Sequence, residues 1–177
     1  MECPTGLEVH DDAFGDPAGL VGAIEDHPKW STSPVGRAPT VSDIRTSESL
    51  FLPFLSFSNP PVIHEFAHSV WTIMTDYARR YSVGISQFEP ISFNRYGPEQ
   101  YFTAHADYFE GSNRVISAIA YLTTVEGGGM TNFIHFGVEV EAVAGRIAVF
   151  PSNYLFAHAA LPPVSGVKYS AAFWARG

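Results

Sequence analysis

Val138-Glu139-Val140-Glu141-Ala142-Val143-Ala144-Gly145-Arg146-Ile147-Ala148-Val149-Phe150 is the stretch whose reading decides the fold. Val138 to Val143 and Arg146 to Phe150 are strand-like runs, and the glycine between them marks a turn. The same signal extends in both directions. Ile91 to Tyr96, Tyr101 to Tyr108, Val115 to Leu122, Asn132 to Phe136, Tyr154 to Ala159 and Lys168 to Trp174 are also strand-like. Gly97-Pro98, Gly111-Ser112, Gly127-Gly128-Gly129, Pro162-Pro163 and Gly166 punctuate them. Before Phe88 the period is different: Pro60-Pro61 opens a helix through about Tyr81, with Ile63, Phe66, Ala67, Val70, Ile73, Met74 and Tyr77 on one face. Helices followed by about eight short strands predict a mainly β, α+β chain. Its core is expected to be two facing antiparallel sheets in a jelly roll, with the helices buttressing one sheet.

The shorter signals fit around this core. Leu7 to His10 reads as an opening strand, Asp16-Pro17 as the start of a helix through about Asp26, and Ile44 to Ser47 and Leu50 to Leu55 as extended pieces. Lys29 to Thr40 reads as a loop. The 177 residues, 46% of them hydrophobic, predict a single domain, with 1–87 as helical N-terminal support and 88–177 as the β core.

Charge and cysteine content narrow the function classes. Ten Lys plus Arg against eighteen Asp plus Glu give a net charge of −8, which repels phosphate and argues against nucleic-acid or anionic-membrane partners. Cys3 is the only cysteine, so no intrachain disulfide forms and an oxidising compartment is not required. No run approaches the ~20 apolar residues of a membrane span, and the N-terminus does not read as a signal peptide. A soluble, cytoplasmic chain is the expectation; oligomeric state is not legible.

The chemistry concentrates at His105-Ala106-Asp107 and His158. Residues two apart on a strand share a face, so His105 and Asp107 can point inward together. Two imidazoles and a carboxylate on one side of a metal leave the other side open for a cosubstrate and oxygen, the facial triad of non-haem Fe(II) chemistry. His-x-Asp alone is common, and Lys168 strengthens it. The strand periodicity puts Lys168, Ser170, Ala172 and Trp174 on one face, and a buried lysine needs an anion, which a dicarboxylic cosubstrate would supply.

Asn94-Arg95-Tyr96-Gly97, His105-Ala106-Asp107-Tyr108-Phe109, Arg114 with Tyr121 to Thr131, and His158 with Gly166-Val167-Lys168-Tyr169 and Trp174 together resemble the prolyl 4-hydroxylase branch of the 2-oxoglutarate, Fe(II)-dependent dioxygenases. Ile44-Arg45-Thr46-Ser47 resembles the segment ahead of that family's core. The resemblance implies a cupin-like double-stranded β-helix, with Fe(II) on His105, Asp107 and His158. It implies that Lys168 binds the distal carboxylate of 2-oxoglutarate, assisted by the hydroxyls of Tyr96 and Thr131, with Tyr121 as a third. Arg114 and Trp174 match positions near the substrate groove, which Tyr108 is expected to wall as well. Ascorbate is the implied reductant, O2 the second cosubstrate, and peptidyl proline the implied substrate.

Departures from the family pattern bear on that substrate. Only Tyr108 to Asn113 separate Asp107 from Arg114, Phe102 stands where relatives often carry tyrosine, and Met130 replaces a usual glutamate. A free amino acid or other small molecule is therefore the alternative substrate, and a non-catalytic binding module is a further one. A rival motif, His64-Glu65-Phe66-Ala67-His68, satisfies the zinc-protease pattern H-E-x-x-H on a helix. Trp71 and Met74 occupy the positions where its extended form has Gly and His, so zinc would have two obvious ligands, and both histidines are expected to be surface or packing residues.

Overall fold

Strand β12 (Lys168–Arg176) organises the molecule because its alternating side chains serve two layers. Tyr169, Ala171, Phe173 and Ala175 enter the apolar cluster beneath the helices, while Lys168, Ser170, Ala172 and Trp174 line a cavity on the opposite face. The structure is a computed structural model that describes residues 3–34 and 43–177. β12 lies between β5 (Ile91–Tyr96) and β7 (Arg114–Tyr121). The major sheet continues past β7 to β10 (Ile147–Pro151) and β1 (Glu8–His10), and past β5 to β3 (Glu48–Leu52) and β2 (Ser31–Thr32). The short β4 (Gln87–Phe88) pairs with the last residues of β12. A minor sheet runs β6 (Phe102–His105), β11 (His158–Ala160), β8 (Thr131–Phe133) and β9 (Val138–Val140). Every pairing is antiparallel, and the jelly roll expected from the sequence is the observed fold.

Helix α1 (Pro17–Ile24) starts as its sequence requires, with Asp16 accepting from Gly19 N and proline in the first turn. Helix α2 (Pro61–Arg80) buries Ile63, Phe66, Ala67, Val70, Met74 and Tyr77. Phe66 meets Phe173 edge-on at 5.4 Å and tilts against Phe93 at 6.2 Å, tying the helix to β12 and β5. Each such buried ring contributes roughly 1.5–3 kcal/mol. A second cluster, built on Tyr121, Phe133, Val140, Phe150 and Phe156, fills the space between the sheets. It ends against His158, whose ring lies 5.0 Å from Phe150 and 5.6 Å from Phe133. The functional side chains therefore rest on a packed wall.

Several boundaries move. Tyr154 to Ala159 divides into a 3-10 turn, Tyr154–Phe156, and the strand β11, because Asn153 Oδ1 accepts from Leu155 N and offers the backbone an alternative to the ladder. Ile44 to Ser47 forms only an isolated bridge, Arg45 to Phe102, ahead of β3. The two-residue strands β2 and β4 are too short for periodicity to reveal. Ser31–Thr32 falls inside the expected Lys29 to Thr40 loop, whose residues 35–40 lie outside the described residues. The first 87 residues thus supply β1, β2 and β3 to the major sheet besides the helices.

The Gly127-Gly128-Gly129 turn has a definite task. Gly128 has φ +67° and bridges Pro163, and a Cβ there would stand 2.3 Å from the Pro162 carbonyl oxygen. Gly129 N donates to the same carbonyl at 2.9 Å. This close approach holds the connection from β7 to β8 against the segment after β11, just ahead of Thr131.

Candidate functional site

His105 ends β6, Asp107 follows two residues later, and His158 opens β11 directly across the ladder from His105. His105 Nε2 lies 3.8 Å from Asp107 Oδ1, and His158 Nε2 lies 4.0 Å from Asp107 Oδ2. The candidate donor atoms all fall within 4.8 Å of one another, the one such group of three among the described residues. His105 Nδ1 bonds the Thr103 carbonyl at 2.9 Å, and His158 Nδ1 bonds the Phe156 carbonyl at 3.0 Å. A carbonyl only accepts, so each Nδ1 carries the proton and each Nε2 is left with a lone pair beside the carboxylate. The donor set fits one divalent cation with open positions.

Burial sets the electrostatics. Burial holds the His105 imidazole below its usual value, and the neighbouring His158 adds to that. For Asp107 burial pushes the carboxyl up, but His158, His105, the Ser117 hydroxyl and Arg114 outweigh it and hold the group below its ordinary value. The site thus keeps an ionised carboxylate beside a neutral imidazole, the protonation state a metal needs. Phe102 stacks on His105 at 3.6 Å between ring centroids and 16° between planes.

Lys168 faces the same cavity from β12 and is 2% exposed. Its register partner is Tyr96, and its Nζ lies 5.3 Å from the Tyr96 ring centroid and 5.6 Å from that of Tyr121. Burial alone pushes the ammonium down to about 7. Tyr121 donates to Thr131 Oγ1 at 2.7 Å, bringing β7 and β8 together across the cavity. The structure therefore gathers Tyr96, Thr131, Tyr121 and Lys168 as a polar pocket next to the triad.

A groove of about 380 Å³ leads outward from the same triad, lined by Arg45, Phe51, Glu89, Phe102, Phe109, Arg114 and Trp174 among others. Arg114 grips Glu89 at 3.0 and 2.7 Å and lies 3.9 Å from the Trp174 ring centroid. Arg176 shares Glu89 at 2.8 Å. Tyr108 does not line this groove. Its neighbour Phe109 does, and the Phe109 to Ser112 turn, closed by Ser112 N to Phe109 O at 2.9 Å, fixes that exchange. Glu89 and Arg45 belong to the groove without standing out in the sequence: Glu89 meets Arg114 and Arg176 only through the fold, and Arg45 is buried against Asn94.

The rival histidines sit elsewhere, on α2. His64 stacks on Phe57 at 5.3 Å and His68 lies 5.6 Å from Trp71, with no third metal donor beside them among the described residues. The first turn of α2 holds no acidic residue, so Glu65 lies one turn beyond the region the helix dipole favours most.

A jelly roll with one carboxylate and two imidazoles at its open end, next to a buried cation, defines the class of non-haem iron oxygenases. Residues 91–176 match the family model described as the 2OG-Fe(II) oxygenase superfamily. Over that stretch the chain is similar to 2-oxoglutarate, Fe(II)-dependent oxygenases, and its relatives make it prolyl 4-hydroxylase-like. Prolyl 4-hydroxylase 1 of Arabidopsis thaliana is 29% identical over 162 residues, covering 76% of this chain and 54% of its own length, so the chain spans about half of that relative. Among solved structures, the viral collagen prolyl hydroxylase of Paramecium Bursaria Chlorella virus-1 superposes with a TM-score of 0.73 at 24% identity, over 98% of this chain and 97% of the other. A Pseudomonas putida prolyl-4-hydroxylase gives 0.76 at 21%, over 97% and 92%. The Trichoplax adhaerens prolyl hydroxylase, solved with a hypoxia inducible factor peptide fragment, gives 0.84 at 15%, over 97% and 83%. These structural likenesses establish the fold. Among the described residues, no helix is long and apolar enough to cross a membrane.

Proposed function

We propose that the chain hydroxylates a prolyl residue of a peptide or protein at carbon 4, with His105, Asp107 and His158 holding Fe(II) and Lys168 anchoring 2-oxoglutarate. The observation that carries this reading is Lys168 itself, a 2% exposed cation with no carboxylate partner among the described residues, on the wall of the cavity that holds the triad. Leaving such a charge unpaired costs several kcal/mol, and a dianionic cosubstrate removes the cost. When bound, iron and 2-oxoglutarate supply the oxidising chemistry: one atom of O2 enters the C–H bond, the other enters succinate, and CO2 leaves.

The chain's residues supply aim and enclosure. The Thr103 and Phe156 carbonyls fix both imidazoles, so the metal-facing Nε2 atoms do not wander. Tyr121 remains protonated because burial raises its phenol, and it orients the Thr131 hydroxyl toward an acceptor. Arg114 and Trp174 form a flat wall on which a substrate ring can rest, held from behind by Glu89. Prolyl hydroxylases among the relatives support a peptidyl substrate. The compact Phe109 to Ser112 turn favours a second reading, a free amino acid or other small molecule, because it offers no long flap to fold over a peptide. Incubating the iron-loaded protein with 2-oxoglutarate, O2, ascorbate, proline-rich peptides and free amino acids, while following succinate and a mass gain of one oxygen, tests both. Oxygen in peptides supports the first reading; oxygen only in free amino acids replaces it with the second.

A further inference from the structure

The cavity holds a second cation without an anionic partner among the described residues. Arg45 is 7% exposed and lines both the inner cavity, with His105 and Lys168, and the outer groove, with Glu89 and Arg114. Its Nε donates to Ser47 Oγ at 3.0 Å, and its Nη2 donates to Ser49 Oγ at 3.2 Å and to Asn94 Oδ1. All three acceptors are neutral, and Nη1 has no hydrogen bond among the described residues. The other arginines among the described residues differ. Arg79, Arg80, Arg95, Arg114, Arg146 and Arg176 each pair with a carboxylate, although every one of them is more exposed than Arg45.

A buried guanidinium is retained where it meets an anion, and its planar fork suits a carboxylate. Ser47, Ser49 and Asn94 occupy Nε and Nη2 and leave Nη1 for a ligand. Neither carboxylate of the groove pairs with Arg45: Glu89 is shared by Arg114 and Arg176, and Asp107 faces His105 and His158. Lys168 already serves the cosubstrate in the reading above. We infer that Arg45 anchors a carboxylate carried by the substrate, placed beside the carbon to be hydroxylated. This rests on the hydroxylase reading and adds the substrate's charge. The carboxylate has three sources: a free amino or imino acid, a chain terminus, or an acidic side chain next to the reacting residue.

Matched pairs differing only in carboxylate against amide separate these sources: proline and prolinamide, a proline-terminated peptide and its amide, and Pro-Glu against Pro-Gln within an amidated peptide. In one pair the acid is expected to show kcat/KM about tenfold or more above the amide, the worth of a charge-assisted hydrogen bond. Arg45→Gln is expected to erase that preference through KM while the KM for 2-oxoglutarate holds, and Arg45→Lys to restore part of it. Equal use of acid and amide in every pair, or a rise in the 2-oxoglutarate KM instead, overturns the inference. A readout free of turnover is the thermal shift of protein carrying Mn(II) and 2-oxoglutarate. N-acetylproline is expected to raise the melting temperature, N-acetylprolinamide not, and Arg45→Gln to remove the difference. No carboxylate-specific shift with N-acetylproline or with the amidated Pro-Glu peptide against Pro-Gln overturns the anchor, whereas a carboxylate-specific shift with no oxygen added to any proline compound leaves the anchor standing and sinks the prolyl reading.

Discussion

The Lys168 ammonium lies 5.3 Å from the ring centroid of Tyr96, its register partner across β12 and β5. The aromatic faces of Tyr96 and Tyr121 partly replace water around the cation but carry no formal charge. Burial therefore brings its pKa down to about 7. A lysine held there is poised between charged and neutral, and an incoming carboxylate draws the proton back onto it.

Binding of 2-oxoglutarate is accordingly expected to take up a proton. Below pH 7 Lys168 is already charged and affinity is at its plateau. As pH rises through about 7 the free protein loses the charge, and affinity falls by up to about tenfold per pH unit until the bound form deprotonates as well. Calorimetric titration of the Mn(II)-loaded protein in buffers of different ionisation enthalpy checks this. Affinity independent of pH between 6 and 9 would place the anchor elsewhere.

Lys168→Met is expected to abolish tight 2-oxoglutarate binding and to stabilise the ligand-free fold by about 1–3 kcal/mol, because an unpaired buried charge gives way to an apolar chain of similar reach. That corresponds to roughly 2–10 °C in melting temperature. The folded pKa lies below the unfolded one, so between about 7 and 10.5 the unfolded wild-type chain binds the extra proton and wild-type stability rises with pH. The advantage of the variant should shrink across that window, as melting curves of the two proteins would show.

Asp107→Ala is expected to lower hydroxylation by more than about 100-fold, since even changes to groups behind a ligand cost 10–100-fold. His64→Ala with His68→Ala, on the far-placed α2, is expected to leave turnover intact. Chelation of metal followed by readdition of Fe(II) should restore wild-type activity and not that of Asp107→Ala. Retained activity in the Asp107 variant would remove it from the metal site.

What the sequence made legible is what period and spacing encode. The shift from a helical face at Ile63 to Tyr77 to alternation beyond Phe88 gave the layers, and alternation along β12 correctly put Lys168 and Trp174 on the cavity side. The companions of His105 and Asp107 in the cavity came from ordered motifs. Arg45 and Glu89 escaped because a charge reads as a solvated residue until a fold buries it, and their partners lie up to 87 residues away in sequence. Tyr108 and Phe109 exchanged places for a local reason, a tight turn whose geometry strand periodicity does not describe.

Glu89→Gln separates the groove's support from the metal. Glu89 is 9% exposed and gathers Arg114 at 2.7 Å and Arg176 at 2.8 Å. Burial by itself raises its carboxyl, but hydrogen bonds and charge from the two arginines overcome this and hold it below 4.5. A carboxyl whose folded pKa is depressed contributes stability that is present above its unfolded value and is lost as pH falls through the folded one. Neutralising it leaves two guanidiniums facing each other across a polar but uncharged amide. A buried pair broken in this way costs about 3–5 kcal/mol, discounted here to roughly 1–3 because Arg176 is 40% exposed and screened by water. The variant should therefore melt several degrees below wild type at neutral pH, with the gap closing as the pH falls below the ordinary glutamate range and wild-type Glu89 itself protonates. With Arg114 no longer held against Trp174, the KM for the hydroxylated substrate should rise more than that for 2-oxoglutarate. Steady-state kinetics varying each substrate in turn would decide it: equal rises in both KM values would mean that Glu89 supports the whole fold and not the groove wall.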